Sequence, residues 1–240
     1  MPGSELKAGA RRQMMKNAPK LFFVSILFSA IVSAATELSF RLPGTKNAYL
    51  QYMENISGGA PHSVDMFLSY FAPIGAAFAV MLSILGIILQ VGFMSYCLKT
   101  VRGHKGGYRD IFEGFAIFWK TLSLLAVCAV LIALWTLLLI VPGAVAFYRY
   151  RQAYYILLDD PAKSAFRCIR ESKRLMRGHK ADLFVLDISF IGWYALSVLV
   201  TILLLLSLPF PIPFVMFWLS PYAGLSRAGF YDQLLEYVTV

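Results

Sequence analysis

Residues 121–148 read TLSLLAVCAVLIALWTLLLIVPGAVAFY, an unbroken run without a charged side chain between Lys120 and Arg149. A bilayer core about 30 Å thick is crossed by roughly 20 apolar residues in a helix. This run is therefore long enough to cross, turn at Pro142-Gly143 and start back. The same pattern extends outward from it. No charge falls between Asp65 and Lys99, and from Ile188 to Ser226 the only interruption is the cluster Pro209-Phe-Pro-Ile-Pro213. A shorter apolar block, Leu21 to Thr36, follows a basic N-terminus. Blocks of this kind are too long and too apolar for core helices of a water-soluble domain.

The blocks predict an all-α polytopic membrane protein, a single membrane domain over 1–240 with about six transmembrane helices and basic amphipathic helices at the interface. The expected spans are 18–36, 73–98, 119–140, 143–159, 182–207 and 212–227. Pro73 suits a first helical turn, and Pro142-Gly143 ends the third span. The fourth is unusual in carrying Arg149 and Arg151. Residues 62–72 read as a possible separate interfacial helix.

Composition agrees. Of 240 residues, 59% are hydrophobic and 15% charged, against about 25% charged in ordinary soluble domains. This excludes a disordered chain and argues against a soluble globule. Lys and Arg number 22 against 13 Asp and Glu, a formal charge of +9. On a membrane protein that excess marks cytoplasmic loops rather than nucleic-acid binding. Residues 1–20, 98–120 and 161–181 are rich in Lys and Arg, whereas 36–66 are not. Positive loops favour the cytoplasm, so both termini are expected inside. The N-terminal block also resembles a secretory signal, with Val32-Ser33-Ala34 as a small-residue site. Its long basic leader favours an uncleaved anchor.

Three scattered cysteines (Cys97, Cys128, Cys168) and three distant histidines form neither a disulfide framework nor a metal site. No cofactor is implied. No GxSxG, HExxH or paired-carboxylate pattern supports an enzyme.

Within the connection 161–181, Asp159-Asp160-Pro161 reads as a helix start and Gly178 as its stop. Ala165, Ile169, Ser172 and Met176 share one face of the amphipathic helix 161–177. Lys163, Arg167, Arg170, Lys173, Arg174, Arg177 and Lys180 make it a candidate for contact with anionic lipid headgroups. Tyr108 to Trp119 and Phe230 to Val238 are further surface candidates. Arg-Gly-His-Lys occurs at both 102–105 and 177–180, each after a helical stretch, which reads as helix-end chemistry rather than an internal duplication.

Several of these stretches together resemble a known pattern. LLLIVPGAVAFYRY at 137–150, AYYILLDDP at 153–161, ESKRLMRGHK at 171–180 before Leu183-Phe184 and Trp193, and Pro221-Tyr222 through Gly229-Phe-Tyr231 resemble a bacterial membrane family catalogued as domain of unknown function 975. The resemblance implies a multi-pass protein of the bacterial cytoplasmic membrane and carries no catalytic residues. More remotely, the layout is similar to the membrane domain preceding some glycerophosphodiester phosphodiesterases.

The candidate site residues are Arg149, Arg151, Tyr148, Tyr150, Tyr154 and Asp187. Arginine at membrane depth is costly and normally faces a partner or a wet cavity; beside tyrosines it can stack or hold a phosphate bidentately. Two positions apart on a helix is about 200° of rotation, so the two arginines do not share one groove. The alternative, which the sequence favours, is a shallow segment whose arginines snorkel to the interface. Asp187 reads either as a proton or cation site or, preferably, as a partner of Arg149, Arg151 or Lys180. Two functions remain: a non-catalytic accessory or organising protein touching anionic lipid, with a possible protein partner or homo-oligomer, and a small transporter or lipid-handling protein using the Arg/Tyr/Asp site. Whether the arginines line a cavity distinguishes them.

Overall fold

The computed structural model describes residues 3–16, 21–31, 54, 73–104, 107–205 and 214–239, and among these every regular element is helical. In order they are α1 (Gly3–Lys16), α2 (Leu21–Ile31), α3 (Pro73–Val101), a 3₁₀ helix (Tyr108–Phe112), α4 (Glu113–Ala116), α5 (Phe118–Leu138), α6 (Ile140–Tyr150), α7 (Ala153–Asp159), α8 (Ala165–Leu175), α9 (Lys180–Leu205) and α10 (Phe214–Thr239). Residues 1–27 with 88–240 form one compact unit and 28–87 a second. Within the second, the described part is mainly the first half of α3. The expected interfacial helix 62–72, the connection 36–66 and the Pro209–Pro213 cluster lie outside the described residues.

Among the described residues three helices are long and apolar enough to cross a membrane: Val80–Val101, Phe118–Leu138 and Lys180–Leu203. The bent pair α1 and α2, at 98° to each other, makes a fourth if counted as one span. Only 17% of the apolar window of α5 and 22% of that of α9 is buried within the protein. Leu137 and Ile140 are 87% and 80% exposed. Apolar surface on this scale is rare on water-soluble proteins and suits lipid, in keeping with helices that could span a membrane. By contrast α10 is well enclosed, burying Leu219, Tyr222, Ala223, Leu225, Ala228, Phe230, Tyr231 and Leu234. A helix covered by neighbours tolerates polar residues that a lipid-facing one does not, which is why its hydropathy falls short.

Pro221 lies inside α10 and has no N–H to give Phe217, four residues back. The Ser25 hydroxyl of α2 donates to the Phe217 carbonyl at 2.7 Å, so the orphaned acceptor is satisfied from a second helix. Ser25→Ala is expected to cost about 1 kcal/mol, the usual net worth of one such bond, read as a lower unfolding midpoint in detergent; an unchanged midpoint counts against this contact.

Several local expectations are corrected. The third helix does not end at Pro142-Gly143. It ends at Leu139, whose extended backbone (φ −163°, ψ 146°) separates α5 from α6, and Pro142 sits in the first turn of α6, where its missing N–H costs nothing. Gly143 serves close packing: a Cβ there would lie 2.2 Å from Thr136 Oγ1 of α5. The segment 143–159 is not one continuous helix but α6 and α7, broken at Arg151-Gln152. The helix expected from 161 begins at Ala165, capped by extended Ser164. Asp160 instead accepts the Ala162 N–H at 3.1 Å, an Asx-type turn that Pro161 continues. The stripe expected to enter the leaflet is occupied: Cys168, Ile169, Ser172, Leu175 and Met176 are buried in the protein. The segment 108–119 is a 3₁₀ turn and a single α-turn before α5, and 230–238 is the last third of α10, packed against α1.

Gly103 and Gly178, in the two Arg-Gly-His-Lys stretches, have φ of +80° and +90°, a conformation that favours glycine. At the first, His104 N–H bonds Lys99 O (2.9 Å) and Gly103 N–H bonds Thr100 O (3.1 Å), the paired bonds that close a helix C-terminus.

Candidate functional site

Asp187 lies seven residues into α9, about 10 Å along the axis at 1.5 Å per residue. Arg151 lies at the break after α6, eight residues before Asp159, the end of α7. The two meet: Arg151 Nη1 donates to Asp187 Oδ2 at 2.5 Å. A second guanidinium joins them from α10, with Arg227 Nε donating to Asp187 Oδ1 at 3.0 Å. Asp187 is therefore shared, its side chain only 12% exposed. One carboxylate between two arginines leaves a net charge of +1, because arginine stays protonated even when buried. The guanidinium of Arg151 also lies over the Phe147 ring at 5.2 Å and near Tyr148 at 6.0 Å. Tyr148 is set edge-on to Phe184 of α9.

Arg151 and Arg227 form part of the wall of a cavity of about 400 Å³. Its apolar wall includes Phe93 and Met94 of α3, Leu125 and Ile132 of α5, Phe147 of α6 and Leu183 of α9. Tyr150, Tyr154, Tyr155 and Cys128 complete much of the remainder. Gln152 lines the same space while being 1% exposed, and among the described residues its side-chain oxygen Oε1 has no hydrogen-bond partner. The break between α6 and α7 thus falls on the cavity wall. Irregular backbone at membrane depth is tolerated where it is buried in protein or borders such a space.

Of the expected site residues, Arg151, Tyr150 and Tyr154 line the cavity, Asp187 braces Arg151, and Tyr148 flanks the pair. Arg149 does not join them. It faces another direction, as the two-residue spacing requires; among the described residues its guanidinium has no hydrogen-bond acceptor, while its carbonyl accepts from Ser172 Oγ at 2.8 Å. Arg227 and Gln152 were missed by the sequence reading. The signal for Arg227 was available: it is the single charged residue between Asp187 and Asp232. Gln152 had none, being an ordinary polar residue beside an arginine.

The basic helix α8 presents Arg167, Arg170 and Arg174 outward, and Arg177 in the turn after it is exposed as well. Lys163 and Arg167 are held by Glu171 at 2.7 and 3.2 Å, and Lys173 Nζ lies 5.4 Å from the Tyr150 ring centre. Lys180 opens α9. A separate polar clamp joins α3, α7 and α10. Arg102 grips Asp159 with both Nη atoms (2.6 and 3.0 Å) and Asp232 with Nε (2.8 Å), and Tyr231 donates to Asp159 at 2.8 Å. The Asp159 bonds hold the Arg102 guanidinium above its ordinary pKa. The three cysteines are free and buried.

Residues 137–237 match the family described as Protein of unknown function (DUF975), which places the resemblance seen in the sequence on the stretch that contains Arg151, Gln152, Asp187 and Arg227. No curated protein and no solved structure matches the chain.

Proposed function

From a membrane chain whose residues 137–237 carry the DUF975 region, we propose a lipid-handling protein that binds an anionic amphiphile in the cavity beside Arg151 and Arg227. The single observation that carries this reading is the pair of guanidiniums sharing one carboxylate on the wall of a largely apolar space. Each uses one of its five N–H donors on Asp187. The others are available to a phosphate or carboxylate, which arginine holds bidentately. The polar groups of the cavity bind and orient; the role is non-catalytic. The sequence favoured an accessory role with snorkelling arginines, and the cavity supports the lipid-handling alternative instead.

The arrangement in the membrane is part of the proposal. Six passes would be formed by the α2 region, α3, α5, the broken α6–α7, α9 and α10, in a bacterial cytoplasmic membrane with both termini inside. The outward basic face of α8 then meets anionic headgroups or a protein partner at the inner surface.

Native mass spectrometry on protein released from mixed-lipid vesicles tests the site. The charge-free triple variant Arg151→Gln/Asp187→Asn/Arg227→Gln should retain at least about 10-fold less anionic lipid than the native protein, since bonds to charged groups are each worth about 1.5–3 kcal/mol. Arg149→Ala should retain lipid normally and unfold within about 0.5 kcal/mol of the native protein, since this half-buried guanidinium has no acceptor among the described residues. Equal retention by the triple variant would count against the reading.

A further inference from the structure

We propose that this cavity selects a hydroxyl-bearing phosphodiester lipid, of the phosphatidylglycerol type, over other anionic amphiphiles. The inference rests on the cavity being an anionic-amphiphile site and deepens it with two further observations. The first is charge. Arg151, Arg227 and Asp187 sum to +1, which one phosphodiester neutralises. A zwitterionic headgroup leaves that charge uncompensated and brings an ammonium group against two guanidiniums, where like charges repel.

The second is Gln152. Gln152 lines the cavity and, among the described residues, its buried side-chain oxygen has no donor; an unsatisfied buried acceptor costs about 1–3 kcal/mol. Neither a bare phosphodiester nor an ionised carboxylate has a proton to donate. A headgroup hydroxyl does. A site built to bond a ligand hydroxyl rejects the analogue without it strongly, because its own polar group is then left unpaired.

The access route favours a lipid over a water-soluble ester. Gln90 of α3 and Ala129 of α5 are exposed residues on the cavity wall, both well inside helices long enough to cross a membrane. The cavity therefore opens sideways between two such helices, toward the acyl region. A volume of about 400 Å³ admits the headgroup and the first part of the chains, and the rest extends outward through this gap.

The test compares phosphatidylglycerol with phosphatidylmethanol, a lipid of equal charge without headgroup hydroxyls, and with water-soluble glycerophosphoglycerol. Affinities are measured on full-length protein in neutral detergent micelles. The native protein should prefer phosphatidylglycerol at least 10-fold over phosphatidylmethanol and 100-fold over the soluble ester. In Gln152→Met the first preference should fall below 2-fold, while the lipid-free protein melts at the same or a higher temperature because an unpaired acceptor has been removed. Equal native affinity for the two lipids overturns the hydroxyl inference, as does a preference that survives in Gln152→Met. Soluble ester bound as tightly as lipid overturns the lipid assignment. Failure of the native protein to bind either lipid is a different result, and rejects the cavity as an anionic-lipid site altogether.

Discussion

Asp187→Asn is expected to destabilise the protein by about 3 kcal/mol or more. Removing one partner from a buried ionic cluster leaves the others uncompensated, at about 3–5 kcal/mol. Here two guanidiniums lose their shared carboxylate at once. The side chains of Arg151 and Arg227 are 22% and 24% exposed, which places the expectation at the lower end of that range. The triple change Arg151→Gln/Asp187→Asn/Arg227→Gln should recover most of the loss, because it removes the charges together. Denaturant titration in mixed micelles reads both. A loss below about 1 kcal/mol for Asp187→Asn, or no recovery in the triple variant, would show that the three groups do not act as a unit. Anionic lipid should also raise the stability of native protein in a concentration-dependent way, since a ligand that binds only the folded state stabilises it by mass action.

Gly92→Ala should be nearly as damaging, at about 3 kcal/mol. A Cβ at Gly92 of α3 would lie 1.8 Å from the carbonyl oxygen of Ile111, and one at Gly114 would lie 2.2 Å from that of Ile88. These are backbone atoms, so neither clash is relieved by a side-chain rotation. The segment 108–116 would have to move off α3. Overpacking of this sort costs about 1–3 kcal/mol, and here it carries further bonds away. Lys99 Nζ is held by Asp110 at 2.9 Å and also by Glu113, and Ser95 Oγ donates to Glu113 at 2.5 Å. Gly86→Ala is the matched control in the same helix. Among the described residues a Cβ there meets nothing within 4 Å, and alanine is the better helix former by about 1 kcal/mol. Thermal unfolding should therefore separate the two variants in opposite directions; a Gly92→Ala protein as stable as native contradicts the close approach.

The lipid-facing helices were legible because bilayer exposure demands uninterrupted apolarity, so α5 and α9 could be read from their missing charges alone. α10 and α6–α7 were harder for the complementary reason. Covered by other helices on one side, they carry Arg227, Arg151 and Gln152 where a wholly lipid-facing segment could not, and their polar residues look like span ends. The amphipathic pattern of α8 was correctly seen, but a stripe that packs on protein has the same periodicity as one that enters a leaflet. The start of α8 was misplaced because Asp followed by Pro serves a turn as readily as a helix cap. At the site, a basic partner for Asp187 among Arg149, Arg151 and Lys180 followed from the expense of isolated charges at depth, and the structure selects Arg151. The separation of Arg149 from it followed from helical rotation. The third member, Arg227, required knowing which helix packs behind α9, and that is a tertiary fact.

The most direct test of the account is an experimental structure of the native protein in nanodiscs containing anionic lipid. The account predicts headgroup density within about 3 Å of the Arg151 and Arg227 guanidiniums, the distance of charge-assisted bonds, with chain density leaving between α3 and α5. A cavity filled only by side chains or water, with either guanidinium turned to the membrane surface, would contradict it.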